Sequence, residues 1–179
     1  LNSGINYIYL QAEDQLSNQT SCLGPIEYEL DNSPPTPLIS LYSPQSSPSQ
    51  IVNPQLRITG VSEGDLVDIY SDDQCSSSIS SSGTVSLPSG ATTIDITSST
   101  LTESIQPHEF YVQAIDQATN PSTCQGVISY IVDQTAPTPS YALSDPTSSP
   151  SQDESPTILV SNLNSGEEVN LFNDSQCSN

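Results

Sequence analysis

The sequence predicts an all-β protein built from tandem β-sandwich modules of about seven strands each. One observation is local: short runs rich in Ile, Val, Leu and Tyr alternate apolar with polar residues, and such runs are typical of half-buried strands. The other is global, because the chain resembles itself at an offset of 102 residues. A hydrophobic content of 33% argues against a disordered chain, although it contains 15 Pro and few charges.

The internal repeat sets the domain organisation. Residues 1–77 align without a gap on residues 103–179, with 28 identities in 77 pairs. Pro-rich segments that follow a predicted strand mark the module boundaries, since proline stops strand pairing and stiffens a joint. We therefore expect three parts within a longer tandem array: the C-terminal part of a preceding module (1–33), one complete module (34–134) and the N-terminal part of a following module (135–179).

Comparison of the two copies assigns the strand faces, because successive side chains in a strand point to opposite sides. Polar residues flank Val169 in the second copy, which predicts that Val67 and Ile69 point inward. Leu66 and Asp68 are then predicted to face outward. The predicted strands, in order, cover residues 38–42, 55–59, 66–70, 83–87 (a short edge strand), 93–97, 110–115 and 127–132.

The core that these strands would enclose is thin for about 100 residues, so a neighbouring module or a covalent staple would help to stabilise it. The remaining side chains predicted to point into this core are Leu56, Ile58, Ile94, Ile96, Phe110, Val112, Ala114, Ile128, Tyr130 and Val132.

Two segments resemble a known family. Residues 110–122 (Phe-Tyr-Val-Gln-Ala-Ile-Asp-Gln-Ala-Thr-Asn-Pro-Ser) and 132–137 (Val-Asp-Gln-Thr-Ala-Pro) are similar to the tandem bacterial immunoglobulin-like repeats of large Gram-negative surface proteins and adhesins. The resemblance implies tandem immunoglobulin-like sandwiches, a fold that a repeat of about 100 residues also suits. The sequence departs from the family pattern at a loop glycine, replaced here by Thr119; Asn120 beside it tolerates a left-handed backbone.

Composition excludes several classes of function. The chain has 21 Asp plus Glu, a net charge of −20 and Arg57 as its single Lys or Arg. Neutralising phosphates requires many basic residues, so we expect neither nucleic-acid binding nor attachment to an anionic membrane surface. No apolar run reaches the length of a membrane span.

The four cysteines occupy two equivalent positions in each module. They do not cluster with histidine at metal-ligating spacing, and one regular pair per repeat in a chain of exported character favours disulfides. Two pairings remain open. Cys75 could pair with Cys124 within the module. In immunoglobulin topology, however, the strands that precede these two cysteines end at opposite poles of the module, which favours a bond across a joint between modules. Cys22 and Cys177 are expected to have partners outside this sequence.

Carboxylates near the module joints form a candidate calcium site, since calcium takes six to eight oxygen ligands. The alternative is that they are solvated turn residues. Calcium is the one cofactor considered; no other is expected. The candidate ligands are Asp31, Glu63, Asp65 and Asp116 at the first joint, and Asp72, Asp73, Asp133 and Glu167 at the second.

We expect no enzymatic activity and no catalytic residues. His108 is the only histidine, and Asn6 takes its place in the first copy. Asn18 and Asn173 begin sequons, which makes them candidate glycosylation sites.

Together these features predict a structural segment of a stalk or fibre, in a long, secreted repeat protein of the cell surface. Its partners would be neighbouring modules of the same chain, and other copies in a fibre are a further option. The location would be extracellular and oxidising. The alternative is an immunoglobulin-like module that binds host glycans or matrix directly, through outward tyrosines such as Tyr9 and Tyr111.

Overall fold

The structure is a computed structural model that describes residues 1–178. In this part of the chain all regular elements are β-strands. The chain divides into two compact units, residues 1–134 and 135–179, which are described separately.

The first unit contains a hairpin and two antiparallel sheets. Strands β1 (Gly4–Leu10) and β2 (Leu23–Leu30) pair with each other. A three-stranded sheet has the order β3-β4-β7 and a four-stranded sheet the order β6-β5-β8-β9. The bounds of these seven strands are β3 Leu38–Ser43, β4 Gln55–Thr59, β5 Leu66–Tyr70, β6 Val85–Ser86, β7 Thr93–Thr97, β8 His108–Ile115 and β9 Gln125–Tyr130.

The second unit contains one antiparallel hairpin, formed by β10 (Ser140–Asp145) and β11 (Thr157–Ser161). Both strands lie 102 residues after β3 and β4, and both pairs show a register irregularity at the equivalent place. These aligned segments therefore adopt the same local structure, whereas residues 168–172, which align with β5, form no strand.

The two sheets of the first unit pack their inner faces on one apolar core. Leu56 and Ile58 of β4 and Phe110 and Val112 of β8 are fully buried, as expected from the alternation of their strands. Ile94 and Ile128 are only partly buried against this cluster. The other predicted core residues are buried, and Val61 and Leu87 from the connecting loops join them.

Most predicted strand bounds agree with the structure, and the exceptions have physical causes. Strand β9 was predicted over 127–132 but ends at Tyr130. Beyond it the chain leaves β8, and Val132 instead forms a parallel bridge with Ser49. The predicted edge strand at 83–87 shortens to two residues.

The prediction that Asp68 points away from the core agrees with the structure, but the residue is not exposed to solvent. Its side chain does lie on the outer side of β5, but only 6% of the residue is exposed, because the segment after β5 turns back beside that strand. The carboxylate accepts hydrogen bonds from the Ser78 hydroxyl (3.0 Å) and the Thr84 hydroxyl (3.3 Å). This segment therefore covers the outer face of β5 at Asp68. Leu66 does face outward, with 43% exposed.

The chain enters and leaves the sandwich at opposite ends. Residues 60–65, which join β4 to β5, lie beside the end of β8, where Leu66 pairs with Ile115. The first residue of β3 pairs with the last of β4, so the chain enters at this end, which we call the linker pole. His108 pairs with Tyr130, so β8 begins and β9 ends at the opposite, exit pole.

Arg57 provides a test of this topology, because it is the only site that trypsin can cleave. It lies in β4, which pairs with a strand on each side. A protease needs an extended, unpaired segment, so we expect cleavage only after the sheet opens. Incubation of the native chain with trypsin should leave it intact, and denaturant should release two fragments in proportion to global unfolding.

The matched control for this experiment is Ser89→Arg, which places a second site in the exposed loop between β6 and β7. That variant should be cut rapidly under native conditions. Equally rapid cleavage of the unmodified chain at Arg57 would contradict the central position of β4.

Candidate functional site

A disulfide joins Cys75 to Cys124 within the first unit, with the two Cα atoms 5.6 Å apart. Of the two pairings that the sequence left open, this structure contains the one within the module. Cys22 and Cys177 are exposed, free thiols. The prediction that their partners lie outside this sequence remains a prediction.

The topological objection to this pairing was wrong because the chain turns back after β8. Ile115 bridges Pro121, and the Ser122 backbone N–H donates to the Ala114 carbonyl oxygen at 2.8 Å. The return brings the chain back along β8 before β9 begins, so Cys124 is not at the linker pole. It lies beside the loop that follows β5, where its Sγ is 3.7 Å from the Asp72 carbonyl oxygen.

A carboxylate shapes the loop that carries Cys75. The Asp72 carboxylate accepts backbone N–H bonds from Ser76 (3.1 Å) and Ser77 (2.7 Å), and it also accepts the Ser76 hydroxyl (3.0 Å). Burial alone raises the pKa of Asp72, but these bonds outweigh it and hold the pKa at about 2. The loop therefore closes around an ionised carboxylate, and Cys75 takes a left-handed backbone with φ 50°.

The equivalent loop in the second unit has the same form without a disulfide. Asp174 accepts the backbone N–H of Ser178, and Cys177 has a φ of 52°. The left-handed conformation of the cysteine is therefore a property of the carboxylate-closed loop and not a consequence of the disulfide.

The turns that follow β1 and β8 are equivalent in the repeat, and their hydrogen bonds also agree in detail. The Asn18 backbone N–H and side-chain amide donate to the Asp14 carboxylate, each at 2.9 Å. Asn120 makes the same two bonds to Asp116, at 2.8 and 2.9 Å. Ser17 and Thr119 stand where the similar bacterial repeats have a loop glycine, and each adopts the left-handed conformation itself, with φ of 64° and 68°. The asparagine that was expected to take this conformation instead closes the turn.

At the linker pole, an acidic cleft of about 510 Å³ lies between the incoming linker and the loops of the sandwich. All four carboxylates predicted for the first joint line it, together with Glu29 and the amide of Gln117. The four are Asp31, Glu63, Asp65 and Asp116.

Carboxylates in the cleft accept hydrogen bonds from backbone N–H groups of their own or a neighbouring loop. Asp65, 4% exposed, accepts the Ser62 backbone N–H at 2.8 Å, and Glu63 accepts that of Gly90 at 3.0 Å. Among the described residues no three His, Cys, Asp or Glu side chains are grouped closely enough to hold a metal ion. The turn role of these carboxylates is thus visible, and calcium at the joint stays a prediction.

The incoming linker is fixed to this pole. The Asn120 side-chain amide donates to the Asp31 carbonyl oxygen at 3.0 Å, a contact that the sequence did not predict. Pro37, the last linker residue, is fully buried. Gly60, with a φ of 72°, lets the Thr36 carbonyl approach so closely that a Cβ would collide with it.

The adjacent loops are joined in the same way. The Gln117 side-chain amide donates to the Glu63 carbonyl oxygen at 2.8 Å, and its side chain lies against Gly64, where a Cβ would collide with it. These contacts therefore hold the linker in a defined position at the linker pole.

The second predicted group of carboxylates divides between the two units. Asp72 and Asp73 lie in the loop after β5 and Asp133 follows β9, so these three are at the exit pole. Glu167, in the second unit, accepts the Asn164 backbone N–H at 2.9 Å. This bond repeats the one that Asp65 makes in the first unit.

The two sequon asparagines differ. Asn18 uses its side-chain amide to close the turn with Asp14, which is the nitrogen that a glycan would occupy. Asn173 is exposed, immediately before the carboxylate-closed loop of the second unit. Glycosylation of either stays a prediction.

The remaining polar groups show local roles. The His108 Nε2 atom is 2.8 Å from the Thr102 carbonyl oxygen. Tyr111 lies on the outer face of β8, and its hydroxyl donates to Glu109 at 2.9 Å. Arg57 pairs with Asp95 at 2.8 Å and lies over the Tyr42 ring, 3.7 Å from its centroid.

Comparisons with known proteins add no assignment: no family model matches the chain, and neither a curated protein nor a solved structure shows significant similarity to it. The disulfide is compatible with an oxidising extracellular environment. None of the described residues forms a helix long and apolar enough to cross a membrane.

The disulfide is expected to contribute about 4 kcal/mol to the free energy of unfolding, because it closes a loop of 49 residues in the unfolded chain. Paired substitution of Cys75→Ser with Cys124→Ser should lower the stability measured by urea unfolding by about this amount. Cys22→Ser with Cys177→Ser is the matched control and should leave it unchanged. Equal stability of the two double variants would contradict the assignment.

Because hydrogen bonds in its loop stabilise the ionised Asp72 carboxylate, we expect acid to lower the free energy of unfolding. The pKa of Asp72 is lowered from 3.8 to about 2 in the folded chain, so its contribution is fully present above pH 4 and is lost as pH falls through 2. Urea unfolding at a series of pH values should show a smaller loss of stability between pH 4 and 2 for Asp72→Asn than for the wild type. Asp73→Asn, at the exposed neighbouring position, should retain the wild-type loss. Identical pH profiles for all three chains would refute the role of Asp72.

Proposed function

We propose that this chain is a segment of an extracellular stalk, in which immunoglobulin-like sandwiches follow one another as stiffly joined modules. The observation that carries this proposal is the path of the chain. The linker is seated at one pole of the sandwich, and the chain leaves at the opposite pole. Modules connected in this way extend along one direction and do not fold back on one another.

The joint supports the proposal because it is held by specific contacts. Asn120 binds the Asp31 carbonyl, Pro37 is buried and Gly60 admits the backbone of Thr36. A flexible tether would need none of these contacts. The linker residues before Pro37 are exposed or half-buried, so these contacts and not general burial hold the linker. Fixing the linker backbone limits the angles that the preceding segment can adopt.

The repeated loops support an array of like modules. The carboxylate-closed turns at Asp14 and Asp116 agree bond for bond, as do the register irregularities of β3–β4 and β10–β11. Each module would then hold the linker before it through the same contacts. The net charge of −20 would give such an array a polyanionic surface that resists self-association.

The joint can be tested by replacing Asn120. In Asn120→Ala the linker loses its hydrogen bond, so the β1–β2 hairpin should tumble more independently of the sandwich. Backbone ¹⁵N relaxation of the full chain measures this: we expect similar rotational correlation times for hairpin and sandwich in the wild type, and a shorter one for the hairpin in the variant.

Asn18→Ala is the matched control, because it removes the same turn bond from the equivalent position without touching the Asp31 carbonyl. It should leave the coupling between hairpin and sandwich unchanged. If the hairpin of the wild type already moves independently, or if both variants behave alike, the rigid-joint proposal fails.

A further inference from the structure

The position of the disulfide relative to the two ends of the sandwich divides the module into two mechanical parts. Strands β3, β4 and β5 precede Cys75, and β9 follows Cys124. Strands β6, β7 and β8 lie within the covalent loop between the two cysteines. Tension applied through the linker and the exit segment therefore passes from one cysteine directly to the other.

A parallel pairing lies in the part of the chain through which this tension passes. After β3, the Ser49 backbone N–H donates to the Ile131 carbonyl at 3.1 Å, and the Asp133 backbone N–H donates to the Ser49 carbonyl at 2.9 Å. These bonds join the segment after β3 to the segment after β9 in a parallel pairing. Once they and the pairings of β9 break, the chain outside the loop can extend.

We infer that the Cys75–Cys124 disulfide is an extension stop: an overloaded module lengthens only by the chain outside the covalent loop. At about 3.5 Å per residue, residues 34–134 would reach about 350 Å when fully extended. The disulfide removes 49 residues from the path, which leaves about 180 Å. About half of the module's chain, the part between the two cysteines, therefore stays out of the extended path.

The stop also shields the centre of the four-stranded sheet. Strand β8 contributes the buried Phe110, Val112 and Ala114 and is paired with both β5 and β9 before extension. Because β8 lies inside the loop, it carries no tension after its neighbours have peeled away. A partly extended module therefore keeps an untensioned segment from which the sheet can re-form when the load falls. The use of this device in a stalk rests on the function proposed above, whereas the stop itself is a property of the module.

Force spectroscopy of the full chain, tethered at both termini, tests the inference. Unfolding of the wild type should give a contour-length gain that is about 170 Å shorter than that of the variant with Cys75→Ser and Cys124→Ser. This difference does not depend on the folded length of the module. The control variant, Cys22→Ser with Cys177→Ser, should retain the short gain.

A second measurement does not require the double variant to fold. When the wild type is held extended in the presence of a thiol reductant, one additional step of about 170 Å should follow as the disulfide is cleaved. Equal gains in oxidised and reduced chains, or no reductant-dependent step, would overturn the extension stop. Neither result bears on whether the joints are rigid, which the relaxation experiment decides separately.

Discussion

The constraint on which this structure depends is the near absence of cations in an acidic chain. With 21 carboxylates and Arg57 as the single base, ion pairs cannot balance the side-chain charge. Arg57 forms an ion pair with Asp95, and this is the one salt bridge in the described part of the chain. The other carboxylates that bind within the protein use neutral donors, chiefly backbone N–H groups of nearby turns, which stabilise the ionised form.

These carboxylate-closed turns position the disulfide and the contact with the linker. The Asp72 turn sets the backbone of Cys75, and its equivalent at Asp174 sets Cys177 in the same way. The Asp116 turn orients Asn120, whose amide also reaches the Asp31 carbonyl of the linker. The position of the disulfide and the hydrogen bond that holds the linker therefore both depend on local hydrogen bonds of carboxylates. The acidic residues at these positions thus have a structural role.

Much of the fold could be predicted from the sequence, because an internal repeat supplies a second copy of each strand that aligns. Polar substitutions in one copy identify outward positions in the other, and Val67 and Ile69 were assigned to the core in this way. This comparison of copies also assigned Asp68 to the outer side of β5, but it cannot show that a later segment covers that side. It also could not choose the disulfide pairing, which depends on how far the chain turns back after β8. Asn120 aligns with Asn18, but alignment alone does not reveal a partner 89 residues away.

Titration of the individual aspartate carboxyl groups by ¹³C NMR would test the central claim most directly. The bonds from Asn18 lower the pKa of Asp14, and those from Asn120 lower the pKa of Asp116. The account predicts that both groups, together with Asp72, titrate below the ordinary value of 3.8, and that added salt changes these values little because the donors are local. Titration of these three carboxyls at the ordinary value, or a return to it at high salt, would contradict the account.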